Sequence, residues 1–474
     1  MSKPTEKEHF RDTISTVNSS GKRAWLYPKK PKGPYYLKRK AVGYLLVLLL
    51  FVGPFIKING KQLFLFNVIE RKFHVFGTPF WTQDFHLLAL MMLMAIVFVC
   101  LFTVGFGRLF CGWVCPQTVF LELIFRPIEY WIEGDRGAQI KLNKMPWHLT
   151  KIKKKLLKWG LFFFLSFLIS NIFLAYFIGS DQLLVYSTTP GENLQTLFFL
   201  LCFTAVFYFV FAWFREQVCV IACPYGRLQG VLLDKHSIVV AYDNKRGEKE
   251  AGRAKFNKKE NRVLSQKGDC IDCFQCVHVC PTGIDIRNGT QLECVNCTAC
   301  MDACDQMMKA VGLPQKLIRY ASEHQIETQQ KFQFTSRLKG YSFVLLVLIG
   351  LFTFMMTTRT LIEATLLRIP GQLYTLNEQD NSIQNVYTFK LINKSDRQFE
   401  ELEMRLLSHE GKIYLPNQQN IQLQPEVLLD GTFFVELPRS SWKGTKLKLK
   451  IGFFNQNELI ESASTLFLGP RSYR

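Results

Sequence analysis

Cysteine is missing from the last 170 residues of this 474-residue chain, although fourteen cysteines occur before them. That excludes a disulfide-stapled C-terminal domain and confines every thiol to one part of the protein. Acidic residues are few: 38 Asp and Glu stand against 58 Lys and Arg, giving a net charge of +20. No histidine lies in the middle of a long apolar stretch; His86 stands alone at the end of one. Paired-histidine haem ligation across a bilayer is thereby excluded. No G-x-G-x-x-G fingerprint follows a strand pattern, so no nicotinamide or flavin domain is expected.

What is present is apolar and blocked. Hydrophobic residues make up 48% of the chain, with 42 Phe. Five stretches, 41–58, 86–106, 156–179, 194–214 and 341–358, meet the roughly 17 to 25 residues that a helix needs to cross the hydrocarbon core. None has a charged residue in its middle, which leaves no charged relay inside the bilayer. The tail before 41 and the connections 107–155 and 215–340 are rich in Lys and Arg. The loop 180–193 has neither, and 59–85 has only Lys61, Arg71 and Lys72. The positive-inside rule therefore expects a cytoplasmic N-terminus and, after five crossings, a periplasmic C-terminal domain of a bacterial inner-membrane protein. The first apolar run has no small-residue cleavage site after it and reads as an uncleaved span. The positive charge crowds beside the spans, so it reads as topology and contact with anionic headgroups, not as a nucleic-acid surface.

The expected organisation is a tail over 1–40, a membrane domain with four spans over 41–243 and a basic linker over 244–268. A ferredoxin domain over 269–310, a connector over 311–340, the fifth span over 341–358 and a β-domain over 359–474 complete it. The linker carries nine Lys or Arg against three Glu. Beyond 359 the apolar period falls to two, as in Val386-Tyr-Thr-Phe-Lys-Leu and Leu447-Lys-Leu-Lys-Ile. Turn signals at Asn393-Lys-Ser, Pro416-Asn417 and Asp430-Gly431 separate about seven short strands, the pattern of an immunoglobulin-like sandwich without its disulfide. The fold class is a five-span helical membrane domain, a bacterial-type two-cluster ferredoxin (α+β) domain and a C-terminal β-sandwich.

The strongest signal is Cys270, Cys273, Cys276 and Cys280, spaced C-x2-C-x2-C-x3-C, followed by Cys294, Cys297, Cys300 and Cys304 at the same spacing. Three thiolates so spaced wrap one face of a 4Fe–4S cubane, and the fourth of each run reaches the other cluster. One cluster is thus expected on Cys270, Cys273, Cys276 and Cys304, the other on Cys294, Cys297, Cys300 and Cys280. Zinc needs four ligands and does not explain a doubled run of four. His278 lies between ligands but is surplus to both sets and reads as packing or surface. Pro281 follows the first run, whereas Asp305 follows the second; Lys267 and Arg287 add positive charge nearby.

A weaker signal repeats. Cys111-Gly-Trp-Val-Cys115-Pro116 recurs 108 residues on as Cys219-Val-Ile-Ala-Cys223-Pro224, each after a span. On a helix the two thiols share a face, and proline turns the second cysteine away from helical geometry. Soft thiolates at this spacing suit Cu(I), and two motifs together offer up to four sulfurs; buried structural cysteines are the other reading. Cys100, Cys202, Met91, Met92 and Met94 lie within spans and read as packing or lipid contact, with a copper path the less favoured alternative.

These motifs, with Cys280-Pro-Thr-Gly-Ile-Asp-Ile-Arg and Cys294-Val-Asn-Cys-Thr-Ala-Cys-Met-Asp-Ala-Cys304-Asp, resemble the FixG/CcoG/RdxA family of cytochrome c oxidase accessory proteins over nearly the whole chain. Asp305 fits that family. Polyferredoxin membrane subunits of nitrate and nitrous-oxide respiration share the cysteine pieces but lack the β-domain. The resemblance implies two 4Fe–4S clusters and reduction of Cu(II) to Cu(I), with copper as substrate, during maturation of a cbb-type oxidase. The expected catalytic residues are Cys111, Cys115, Cys219 and Cys223. The partners are a cytoplasmic electron donor and copper chaperones or the assembling oxidase. The rival readings are a quinol-linked relay to a periplasmic reductase and a redox-sensing assembly scaffold.

Overall fold

A computed structural model describes residues 16–17, 20–58, 60–68, 72–81, 84–189, 194–258, 262, 264–331, 333–360, 362–369, 371, 373–377, 381–395, 397–416, 421–425, 427–442 and 446–470. Most of the basic tail before 16, linker residues 259–261 and 263, Arg71 and the turn at Asn417 lie outside the described residues. The chain divides into two compact units: 1–70 with 89–350, and 71–88 with 351–474.

The long helices, which lie wholly or mostly in the first unit, are Pro34–Val52, Phe85–Phe106, Leu149–Ile178, Leu194–Phe209 and Ser336–Thr357, the fourth continuing as a π-turn over Val210–Phe214. Two helices begin earlier than their apolar runs. The first starts at Pro34, where proline needs no N–H partner and the Asp302 carboxylate accepts from the amides of Tyr35 and Tyr36 (3.2 and 2.8 Å). The third starts at Leu149; its early lysines find partners, Lys151 on the carbonyls of Asn143 and Met145 and Lys155 on Glu133.

Among the described residues five helical stretches can cross a membrane by length and composition, and the set includes 109–132 but not Pro34–Val52, whose first turns hold Lys38, Arg39 and Lys40. Packing distinguishes them. Asp302 of the cysteine-rich domain caps the start of Pro34–Val52, and Tyr176, near the end of Leu149–Ile178, donates to the Leu50 carbonyl at the opposite end (2.8 Å). The C-terminal ends of the two helices therefore meet, so they run parallel, and the first has the direction and reach of the third. Segment 109–132 touches the cysteine-rich domain twice: Gly112 packs on Val295 and Asn296, and Arg126 donates to the Pro281 carbonyl (3.3 Å). A crossing helix cannot return to the same small domain, so this segment lies along it. Its π-turn Phe120–Phe125 buries Phe120 and Phe125 against Phe162, Phe207 and Phe211, with Phe125 and Phe211 stacked at 4.8 Å.

The second unit is a β-sandwich. One sheet orders Lys412–Tyr414, Leu428–Pro438, Ser382–Asn393 and Ile362–Arg368, with Thr375–Asn377 also pairing on Ser382–Asn393. The other orders Ile421–Leu423, Phe399–Leu406, Lys446–Asn455 and Glu458–Leu468. All these pairings are antiparallel, and alternate residues such as Tyr387, Phe433, Ile451 and Phe467 fill one core. The hairpin Lys72–Val75 with Thr78–Phe80 belongs to this unit, and Asp84 ties it in through Arg359 and Lys394, each at 2.6 Å.

Candidate metal centre

The two cysteine runs fold alike. In each, the residues flanking the second cysteine are left-handed: Asp272 and Phe274 in one run, Asn296 and Thr298 in the other. Alternating hands curl the chain so that successive N–H groups point inward, the concavity that receives anionic sulfur. A helix then begins, Gln275–His278 in the first run and Ala299–Ala310 in the second, and carries Cys276, or Cys300 and Cys304. Both runs lie beside a two-stranded sheet of Val239–Tyr242 and Ile318–Ala321, and the Val240 amide donates to Asn296 Oδ1 (3.1 Å).

Two small cavities result. One is lined by Cys270, Cys273, Cys276 and Cys304, with Ile271, Met308 and Leu317 among its walls. The other is lined by Cys280, Cys294, Cys297 and Cys300, with Cys276 also touching it and Ile284 and Val295 beside them. The fourth cysteine of each run thus lines the cavity of the opposite run. Burial pushes the thiols of Cys276 and Cys294 up to about 12 and that of Cys297 to about 11, and raises Cys300 and Cys304 as well. Such thiols lose their protons when a metal takes the proton's place. No carboxylate or imidazole lines either cavity. The donor set fits two all-cysteine clusters. His278 lines neither cavity; its carbonyl accepts from the Lys29 amide. Arg287 is held by Asp285 and Asp272 and stacks over Phe274 at 4.0 Å.

The repeated C-x-x-x-C-P motifs are also built alike. Cys115 and Cys223 are extended (ψ 123° and 111°), each amide bonds the carbonyl five residues back, at Phe110 and Val218, and each cysteine precedes a proline-started helix. Cys111 and Cys219 pack on one buried patch formed by Val279, Val295, Cys297 and Ala299. The Cys223 thiol is near enough to those of Cys111, Cys115 and Cys219 to interact with them electrostatically. Cys111 Sγ also donates to Gln229 Oε1 (3.2 Å). Gly112 explains the close approach: a Cβ there would stand 2.4 Å from the Val295 carbonyl. Among the described residues no three His, Cys, Asp or Glu side chains converge tightly enough to grip a single metal ion. Cys100 and Cys202 stay within their helices, Cys202 exposed.

Sequence reasoning missed the polar clasp around these motifs. Arg39 donates to the Gly112 carbonyl (2.7 Å), and Arg108 donates to the carbonyls of Leu292 and Gly226, joining both repeats to the cysteine-rich domain. Buried Arg126 pairs with Glu122 and Glu216, and buried Arg215 with Glu129. The signal was there: Glu122, Arg126 and Glu129 recur at four and three residues inside an apolar run, one face of a helix.

Known proteins align with this architecture. A 4Fe–4S dicluster domain family matches residues 214–323, and a 4Fe–4S binding domain family matches 85–139, which include Cys111 and Cys115. The IG-like fold at the C-terminus of FixG matches 352–470. The chain is similar to protein RdxA of Cereibacter sphaeroides, 38% identical over 71% of this chain and 72% of that one. It is similar to protein RdxB of the same organism, 33% identical over 80% and 81%. It is also similar to the nitrogen fixation protein FixG of Rhizobium meliloti, 36% identical over 66% and 60%. With these cysteine sets, these spans and relatives matched over most of their length, the chain belongs to the FixG/RdxA family and is a membrane-associated iron–sulfur electron-transfer protein.

Proposed function

We propose that the protein reduces Cu(II) to Cu(I) at the paired C-x-x-x-C-P motifs, for the maturation of a cbb-type cytochrome oxidase. The observation that carries this reading is the packing of Cys111 and Cys219 on the patch that contains Cys297 and adjoins Cys300. Soft sulfur donors thus lie directly against an iron–sulfur loop. Cys270, Cys273, Cys276 and Cys304 would hold one 4Fe–4S cluster, and Cys294, Cys297, Cys300 and Cys280 the other; bound there, the clusters supply one-electron donors.

The chain's own residues do the rest. Arg39 and Arg108 clamp the first motif against the loop, and Gly112 lets the two backbones touch. Cys111, Cys115, Cys219 and Cys223 gather copper through sulfur, whose softness favours the reduced ion. Because the thiols are spread, copper itself must draw them together, and a weak preformed grip suits an ion that leaves after taking one electron. Burial pushes the Cys219 thiol up to about 12, so copper binding there releases a proton. The lysines and arginines at the ends of the spans beside the cysteine-rich domain support a cytoplasmic position for that domain. The sandwich would then be periplasmic, where it can meet the oxidase or its copper carriers.

The test uses the full chain with its clusters reduced by dithionite, excess reductant removed, then mixed anaerobically with Cu(II) and a Cu(I)-selective chelator. The reading expects cluster bleaching with one Cu(I) formed per electron. In Cys111→Ser with Cys219→Ser, cluster content should hold while the rate falls about a hundredfold. Bleaching at the parent rate in that variant would reduce the motifs to a structural role.

A further inference from the structure

A cavity of about 570 Å³ opens where the spans Leu149–Ile178 and Leu194–Phe209 meet the level of the cysteine-rich domain. Its walls are aromatic: Trp25, Trp159, Tyr208 and Trp213, with Phe209 and Ala212 between them. Its floor is polar, made by Glu129, Glu133, Lys158 and Arg215. Trp159, Phe209 and Trp213 are also partly exposed on the apolar flank of the spans, so the mouth faces lipid at headgroup depth. Neither copper chemistry nor cluster ligation uses any of these residues.

The size and lining are those of a site for one flat organic molecule with polar edges. Lys158 contacts Glu133 (2.8 Å) and Glu129 (3.5 Å), Lys155 contacts Glu133 (2.8 Å), and Arg215 forks onto Glu129 (2.7 and 2.8 Å). Lys155, Lys158 and Arg215 are each engaged in an ion pair, although the cations of the lining outnumber its carboxylates, and the aromatic walls favour a flat ring with hydroxyl or carbonyl edges over a lipid phosphate. Two short links run from the cavity to the cysteine loops. Arg215 adjoins Glu216, which binds Arg126, and Arg126 donates to the carbonyl of Pro281 beside Cys280. From Trp25 and Tyr27 the chain continues to Lys29, whose amide binds the His278 carbonyl between Cys276 and Cys280.

We propose that this cavity is a quinol site and that a membrane quinol is the electron donor, an inference that rests on the electron-transfer reading but not on copper. Oxidation of a quinol there breaks two O–H bonds. Its two protons pass to the Glu133 carboxylate and on to water at the Lys151 rim, and its two electrons match the capacity of two one-electron centres. Quinone then leaves through the lipid-facing mouth.

The test places the cluster-loaded full chain in lipid nanodiscs and titrates a short-tailed ubiquinone analogue while following tryptophan fluorescence. Saturable quenching is expected, weakened about tenfold or more in Ala212→Phe, which fills the cavity, and in Trp159→Leu, which removes an exposed wall. The reduced analogue should also bleach the clusters in the parent and not in Ala212→Phe of equal iron content. Binding unchanged by both variants, or competed away by anionic phospholipid, would overturn the proposal. Copper reduction by dithionite-loaded protein that quinol cannot bleach would sink this inference and spare the copper reading. Bleaching by quinol with no copper reduction would do the reverse.

Discussion

Asp84 shows how much one buried charge does in the second unit. Burial works to raise its pKa, but hydrogen bonds and ion pairs with Lys394 and Arg359 outweigh it and hold the carboxyl below its ordinary value. A carboxylate lowered by folding stabilises the fold above its unfolded pKa, and that contribution is lost as pH falls through the folded value. The hairpin with the sandwich should therefore loosen only in acid, below the usual carboxylate range. Asp84→Asn leaves Lys394 and Arg359 short of a partner, although Lys394 keeps Glu363 (2.6 Å). It should cost about 3–5 kcal/mol at neutral pH and flatten the acid limb, read by denaturant unfolding monitored on the sandwich. An unchanged midpoint would show that Glu363 suffices. Nothing in the sequence pairs Asp84 with residues some three hundred positions later, because such pairings are made by the fold.

Among the elements, the apolar runs were legible as spans because hydropathy is a property of the run itself. Their starts were not. Pro34–Val52 begins where Asp302 caps it, and Asp302 lies between two cysteines of the second run. The segment 109–132 reads as a basic connection by its flanks and as a span by its apolar content. It packs along the cysteine-rich domain, and the buried Glu122, Arg126 and Glu129 with their partners show why. The bend at each C-x-x-x-C-P motif was readable from proline, whereas the π-turns at 120–125, 210–214 and 218–222 carry no local sequence mark. The contact between element and loop is tightest at Gly112. Gly112→Val should force the Cys111 helix off Val295, costing about 1–3 kcal/mol, and should lower iron content in the second run more than in the first. Spectra that lose both signals equally would point to general misfolding.

At the scale of the molecule, two thiol-rich layers meet: the doubled cysteine run and the repeated membrane-edge motif, clamped by Arg39 and Arg108. One cavity of the doubled run is lined by Cys270, Cys273, Cys276 and Cys304, the other by Cys276, Cys280, Cys294, Cys297 and Cys300. The packing of Cys111 and Cys219 against Cys297 could not be read from spacing, since 108 residues of repeat say that two motifs match and not what they face. The sandwich was legible from its period-two runs, while its nine described strands exceed the expected seven because short edge strands such as Lys412–Tyr414 and Thr375–Asn377 have little pattern of their own. The most direct measurement is an anaerobic redox titration of the full chain with spin-resonance detection, repeated on single cysteine-to-serine variants. The account predicts two 4Fe–4S signals, with Cys270→Ser and Cys304→Ser altering the same one and Cys294→Ser and Cys280→Ser the other. If Cys304→Ser instead alters the signal that Cys294→Ser alters, the crossed ligation at the centre of this account is contradicted.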